Sequence, residues 1–151
     1  MTRFSWALAG CAALLLAGGI NLAERHHAAV KRAEAARQAA TETYAEVSAY
    51  SPAALLEAQK EGRPILVAVQ SSRCPTCAAQ APAIQQMAAD KSYKGLRVLL
   101  VDFETQKEAL RDLGATMQST LVVFLGKREV ARSVGVTDTD AIKSSVRRTL
   151  I

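Results

Sequence analysis

The chain has 151 residues, 50% of them hydrophobic, 22% charged and 5% aromatic, with 19 basic against 14 acidic side chains. That length suits one domain with an appendage; the balance of apolar and charged residues excludes a disordered chain, and three Cys are too few for a disulfide-stapled scaffold. The net charge of +5 is carried mainly by residues 51–151, where 14 basic residues are dispersed among 10 acids without aromatic interleaving, so no nucleic-acid partner is expected.

Residues 1–23 read as a signal-anchor or signal peptide. Arg3 precedes an uncharged stretch from Phe4 to Leu22, 19 residues long, close to the ~20 that a helix needs to cross a bilayer. Its length favours a retained anchor, with membrane contact through residues 4–22, although small-residue cleavage sites exist at Ala17-Gly18-Gly19 and Asn21-Leu22-Ala23. Leu8-Ala9-Gly10-Cys11 resembles a lipoprotein-processing site, but it lies inside the apolar run rather than after it, and Cys11 reads as a small membrane residue. The Arg25, Lys31, Arg32 and Arg37 cluster opposes export by the positive-inside rule. A basic start and apolar core at the extreme terminus nevertheless form the export pattern.

Residues 24–50 read as an Ala-rich, charged helical spacer. Between Ile20 and Ser51 there is neither Gly nor Pro, and Ala, Glu, Arg, Lys and Gln favour helix. The adjacent His26 and His27 would point in different directions on such a helix, which speaks against a metal site.

From Ser51 the pattern changes to that of a compact domain, residues 51–151. Ser51-Pro52 is a helix start, with Ser as N-cap and Pro at the first helical position, and Gly62 ends that helix. Ile65–Val69 suits a strand buried on both faces. A helix is predicted from Pro75 to about Asp90, and a second buried strand over Leu96–Val101. Thr105-Gln106-Lys107-Glu108 has the form of a capping box opening a short helix that Gly114 closes. Thr120–Leu125 and Glu129–Val134 are strands joined at Gly126-Lys127-Arg128. Asp138 to Leu150 is an amphipathic helix with Ile142, Val146 and Leu150 on one face. The order α-β-α-β-α-β-β-α implies a three-layer α/β domain.

Cys74-Pro75-Thr76-Cys77 sits where the first strand hands over to a helix. There the free N–H groups and the helix dipole favour a thiolate at Cys74, and Arg73 adds a neighbouring positive charge. A thiol pKa moved from about 8.5 to about 7 makes roughly half the sulfur anionic at neutral pH. Cys74 can then act as nucleophile and Cys77, one turn on, can resolve the mixed disulfide. Two other readings stay open. Half of a zinc site has the same spacing but lacks two further ligands. A structural disulfide would close so small a ring that it adds little chain-entropy stabilisation.

Residues 51–151 resemble a thioredoxin-like domain. The resemblance rests on the strand Ile65–Val69, Cys74-Pro75-Thr76-Cys77, Pro82, Val101-Asp102, Leu113-Gly114, the strand at Thr120-Leu121-Val122-Val123-Phe124, and Val134-Gly135. The run from Glu57 to Val67 is similar to the lead-in of exported members, and Cys-Pro-Thr-Cys also occurs in membrane-tethered ones. The resemblance implies a mixed four-stranded sheet flanked by helices, protein-disulfide oxidoreductase activity through Cys74 and Cys77, and substrate contact at Pro75, Thr76, Gln118, Ser119 and Thr120. It implies no cofactor and no metal. Three features depart from the family. Ser119 stands where the family has a cis-proline, so a trans peptide or a strained loop is expected there, with the Ser119 hydroxyl free to reach the thiolate. Ala68 and Leu100 stand where a buried Asp and its Lys partner help move protons. Arg73 replaces an aromatic residue.

The reading that follows is a thiol–disulfide oxidoreductase of the bacterial inner membrane, its domain in the periplasm (soluble there if the leader is cleaved). It would act on protein thiols or disulfides together with a redox partner, as a reductase or exchange catalyst in preference to an oxidase. The alternatives are a binding or chaperone module without turnover, and copper handling through the Cys pair.

Overall fold

The computed structural model describes residues 24–32, 34 and 44–150. The chain forms two compact units, residues 1–42 and 43–151. In the first, residues 24–32 are helical, in line with the Ala-rich composition. The expectations for residues 1–23 lie outside the described residues; among those described, no helix is long and apolar enough to cross a membrane.

The second unit contains β1 (Glu46–Ala49), α1 (Pro52–Lys60), β2 (Pro64–Gln70), α2 (Pro75–Ala89), a 3-10 turn (Lys91–Tyr93), β3 (Arg97–Asp102), α3 (Lys107–Asp112), β4 (Thr120–Leu125), β5 (Arg128–Val134) and α4 (Thr139–Arg147). The sheet order is β1-β3-β2-β4-β5. β1, β3 and β2 run parallel, while β4 is antiparallel to both β2 and β5. The sheet is therefore mixed and has five strands, not the four expected.

The extra strand, β1, begins inside the stretch expected to be helical spacer. Glu46 to Ala49 pair in parallel with Arg97 to Leu100. A four-residue segment ending an Ala-rich run carries a helix bias, and the open edge of β3 overrides it by pairing the backbone of Glu46–Ala49. Glu46 is held further by ion pairs to Arg63, at 3.2 Å, and to Arg97.

β2 shows how the layers form. Its alternate residues Leu66 and Ala68 face a core made with Ala83, Ile84 and Met87 of α2 and Ile142 and Val146 of α4. Ile65, Val67 and Val69 face the opposite core, with Ala58 of α1 and Ala109, Leu110 and Leu113 around α3. A strand lined on both faces by helices needs an unbroken apolar run, as this one has. Burying a side chain such as Leu66 or Leu99 contributes about 2–3 kcal/mol.

The helix ends follow local chemistry with one exception. Ser51 caps α1 through its hydroxyl, which accepts from Ala54 N at 3.1 Å, and Asp138 caps α4 through Ala141 N at 2.7 Å. The capping box expected at Thr105 does not form. α3 starts one residue later, with Gln106 at the N-cap position making no side-chain cap bond. Thr105 instead donates its N–H and its hydroxyl to Asp102 Oδ1, at 2.8 and 2.9 Å. The carboxylate at the end of β3 is the stronger acceptor, and it builds a turn where a box would have opened the helix.

Candidate active site

The first turn of α2 carries both cysteines. Cys74 has extended backbone (φ −104°, ψ 104°) and is the N-cap residue, Pro75 takes the first helical turn, and Cys77 N–H donates to Cys74 Sγ at 3.0 Å. A proline is tolerated there because its missing N–H would have had no helical partner. The two sulfurs are joined in a disulfide, their Cα atoms 5.2 Å apart. Each cysteine is only 4% exposed. Pro82 lies inside α2, which continues through it to Ala89. Because α2 is fifteen residues long, its aligned peptide dipoles and the Cys77 N–H converge on Cys74 Sγ. A negative charge on that sulfur is favoured there once the disulfide is opened.

The second wall of the site is the loop from Met117 to Thr120. Among the described residues every peptide bond is trans, and Ser119 is the non-glycine residue with positive φ, at 58°. The alternatives of a trans bond or a strained loop are thus both realised. A left-handed serine costs about 1–2 kcal/mol, and three hydrogen bonds anchor it, with a fourth fixing the Gln80 amide that makes one of them. Ser119 N donates to Val69 O at 2.9 Å and Gly135 N donates to Ser119 O at 3.1 Å. Gln80 Nε2 donates to Ser119 O at 3.1 Å and to Val136 O at 2.8 Å. At about 1 kcal/mol net for each buried bond, this set outweighs the strain. The Ser119 hydroxyl does not reach toward the sulfur as expected. It donates to Gln118 O at 2.6 Å, because the left-handed backbone brings its own preceding carbonyl within reach.

Cys77 Sγ lies 3.8 Å from Val69 O, the carbonyl that also accepts from Ser119 N. The structure therefore brings Cys74, Pro75, Thr76, Cys77 and Ser119 around the end of β2. Of the remaining expected contact residues, Gln118 is half-buried beside Ser119. Thr120 is buried, with its hydroxyl committed to Met117 O at 2.6 Å.

Beside the disulfide opens a cavity of about 450 Å³, whose lining includes the apolar Ala78, Ala81 and Leu100 and the polar Gln70, Ser71 and Asp102. Ala68 and Leu100 are register partners on β2 and β3, so the positions that hold an acid and a lysine elsewhere in the family hold methyl groups here. The charge contributed by Arg73 is also smaller than expected. Its side chain is 80% exposed and paired with Glu104 at 3.5 Å, and Glu104 in turn accepts from Ser71 Oγ at 3.1 Å. The Thr105 N–H, the Thr105 hydroxyl, and then the Glu104 N–H and Lys107 hold the Asp102 carboxyl below its usual range. Among the described residues, no group of His, Cys, Asp and Glu is arranged to hold a metal ion.

Two groups went unread in the sequence. Gln80 was legible in principle, because Cys77, Gln80, Ile84 and Met87 follow helical spacing and are all buried, which marks Gln80 as a polar residue on an inward face. The Ser71–Glu104–Arg73 cluster left no such trace, since residues 33 positions apart meet only through the parallel pairing of β2 and β3.

The thioredoxin family model matches residues 47–148. Among solved structures, a protein called Trxlp from Edwardsiella tarda is 38% identical with a TM-score of 0.65, the match covering 67% of this chain and 98% of that one. A mutant thioredoxin from Halobacterium salinarum (19% identity, TM-score 0.61, 71% and 91% of the two chains) has the same fold. So does thioredoxin O2 from Arabidopsis thaliana in its oxidized state (22%, 0.61, 72% and 96%). No curated protein sequence matches the chain. A disulfide-bonded cysteine pair at the start of the helix after β2, in a domain that the family model matches from its first strand to its last helix, makes this chain a member of the thioredoxin family and a thioredoxin-like thiol–disulfide oxidoreductase.

Proposed function

We propose that the chain reduces or exchanges disulfides of protein partners on the oxidising side of a bacterial inner membrane, where residues 4–22 hold it. The observation that carries this reading is the disulfide at the N-terminus of α2, with Cys77 N–H on Cys74 Sγ and the 450 Å³ cavity at its side. In the forward direction the Cys74 thiolate attacks a sulfur of the partner's disulfide. A mixed disulfide forms, and the first partner sulfur leaves as thiolate and takes a proton. Cys77 then loses its proton and attacks Cys74 Sγ, releasing the second partner sulfur. The Cys74–Cys77 disulfide has formed and the partner has gained two electrons and two protons. A dithiol donor must return the pair to the reduced state.

Electrostatics supports the reducing direction. An oxidant of this type owes its potential to a strongly stabilised thiolate. Here one N–H meets Cys74 Sγ, while the Arg73 charge is exposed and shared with Glu104. The proton of Cys77 leaves through the open cavity to solvent, since Asp102, the carboxylate in its lining, is made a weaker base by the turn that holds its carboxyl below the usual range.

The test is a Cys77→Ala variant in intact cells. It accumulates mixed disulfides through Cys74 with periplasmic proteins, and the purified wild type reduces insulin with dithiothreitol as donor. If neither cysteine substitution changes insulin turnover, the enzymatic reading falls and a binding module takes its place. If a membrane-impermeant maleimide fails to reach reduced Cys74 in spheroplasts, the compartment is wrong.

A further inference from the structure

We propose that Gln80 is a positioning residue for this exchange. It holds the left-handed Ser119 loop against the cysteine pair and so sets how well a protein disulfide is bound. The inference rests on the oxidoreductase reading above. Gln80 is 1% exposed, on the helix that carries both cysteines and one turn beyond Cys77. Its amide nitrogen donates to two backbone carbonyls, Ser119 O at 3.1 Å and Val136 O at 2.8 Å, that are 39 and 56 positions away in sequence. Of the two ends of the Gln80 amide only the NH2 can serve both carbonyls, which fixes the orientation of the amide. The circuit closes through the site itself. Gln80 holds Ser119 O, Ser119 N holds Val69 O, and Val69 O faces Cys77 Sγ at 3.8 Å.

The loop so held carries part of the approach to the sulfurs. The cysteines are almost wholly buried, while Met117, two residues before Ser119 and 58% exposed, and Val134, 47% exposed, are the exposed large apolar side chains of this loop and the strand paired with it. Val134 reaches this position because it is the register partner of Thr120. A protein disulfide has to rest on this apolar rim to reach Cys74, whereas a small alkylating reagent does not. Loosening the rim therefore weakens protein binding and leaves the sulfur's own reactivity in place.

Gln80→Met keeps the volume and removes both donors. It is compared with wild type in dithiothreitol-driven insulin reduction and in alkylation of reduced Cys74 by iodoacetamide. The expected result is a KM for insulin raised about tenfold, with kcat and the iodoacetamide rate within about twofold of wild type. If Gln80→Met does not fold, Gln80→Met with Ser119→Gly replaces it and is compared with Ser119→Gly alone, because glycine adopts a φ near 58° without steric cost. An unchanged KM overturns the proposal. So does an equal loss in insulin turnover and iodoacetamide rate, which marks Gln80 as a structural residue only. A wild-type chain that turns over no insulin removes the oxidoreductase reading instead, and is told apart because it fails before any variant is compared.

Discussion

The two walls of the active site are built on different scales. The cysteine wall is local. The N-cap geometry of Cys74, the proline at the helix start and the Cys77 N–H on Cys74 Sγ involve residues at most three positions apart. The Ser119 wall is assembled from a distance, by Val69 on β2, Gln80 on α2 and Gly135 after β5. A local motif keeps its chemistry wherever a strand runs into a helix. A loop held by three separate elements has a shape only while the sheet and α2 are packed. Within one family fold, the reactive sulfur is therefore the durable part of the site and the rim beside it the adjustable part.

The largest effect that would break this division is at the sulfur. Cys74→Ser is expected to lower insulin turnover by about a thousandfold or more, because a hydroxyl in the same place is barely ionised and has no disulfide chemistry. Circular dichroism should show an intact fold, as the first turn of α2 keeps its other bonds. Loss of the fold would mean that the cysteine wall is not local after all.

Ser119→Pro puts the family's residue into this chain and tests the opposite wall. Proline cannot adopt the φ of 58° seen here, and it removes the N–H bonded to Val69 O. It should destabilise the protein by about 2–3 kcal/mol in urea unfolding. A neutral or stabilising result would show that the loop refolds around the ring, and that its present shape is not held as described.

A smaller effect sharpens the local side. Ser51→Ala removes the hydroxyl that accepts from Ala54 N and should cost about 1 kcal/mol, with insulin turnover unchanged, because α1 lies on the sheet face opposite α2. A change in KM would connect α1 to the site.

The smallest effect concerns the turn after β3. Its hydrogen bonds from the Thr105 N–H and hydroxyl, and then from Glu104, hold the Asp102 carboxyl down. A lowered folded-state pKa means that the contribution is present at neutral pH and fades as pH falls through that value. Asp102→Asn should therefore melt slightly below wild type at pH 7, and the gap should close as pH drops below about 4. A gap that widens in acid would have the opposite sign and refute the assignment.

Most of the secondary structure was legible because its signals are local. Thr120–Leu125 appears as expected, β2 extends the expected strand by one residue at each end, and Ser51 and Asp138 cap the helices they were expected to start. The apparent capping box at Thr105 failed for a tertiary reason, since Asp102, fixed at the end of β3, takes the Thr105 N–H that the box would use and draws the Thr105 hydroxyl to itself as a donor. β1 escaped notice because four residues carry little periodicity, and only the free edge of β3 gives them a partner.

What the amino-acid order determined by itself is the cysteine pair at a strand-to-helix junction, and with it the class of chemistry, because N-cap geometry and dipole act within one helical turn. What only the tertiary structure decided is the surroundings of that pair. The left-handed Ser119, the Gln80 clamp, the fifth strand and the diversion of the Arg73 charge to Glu104 all depend on residues far apart in the chain, and hydrogen bonds and ion pairs of a few ångströms exist between such residues only after the sheet has brought them together.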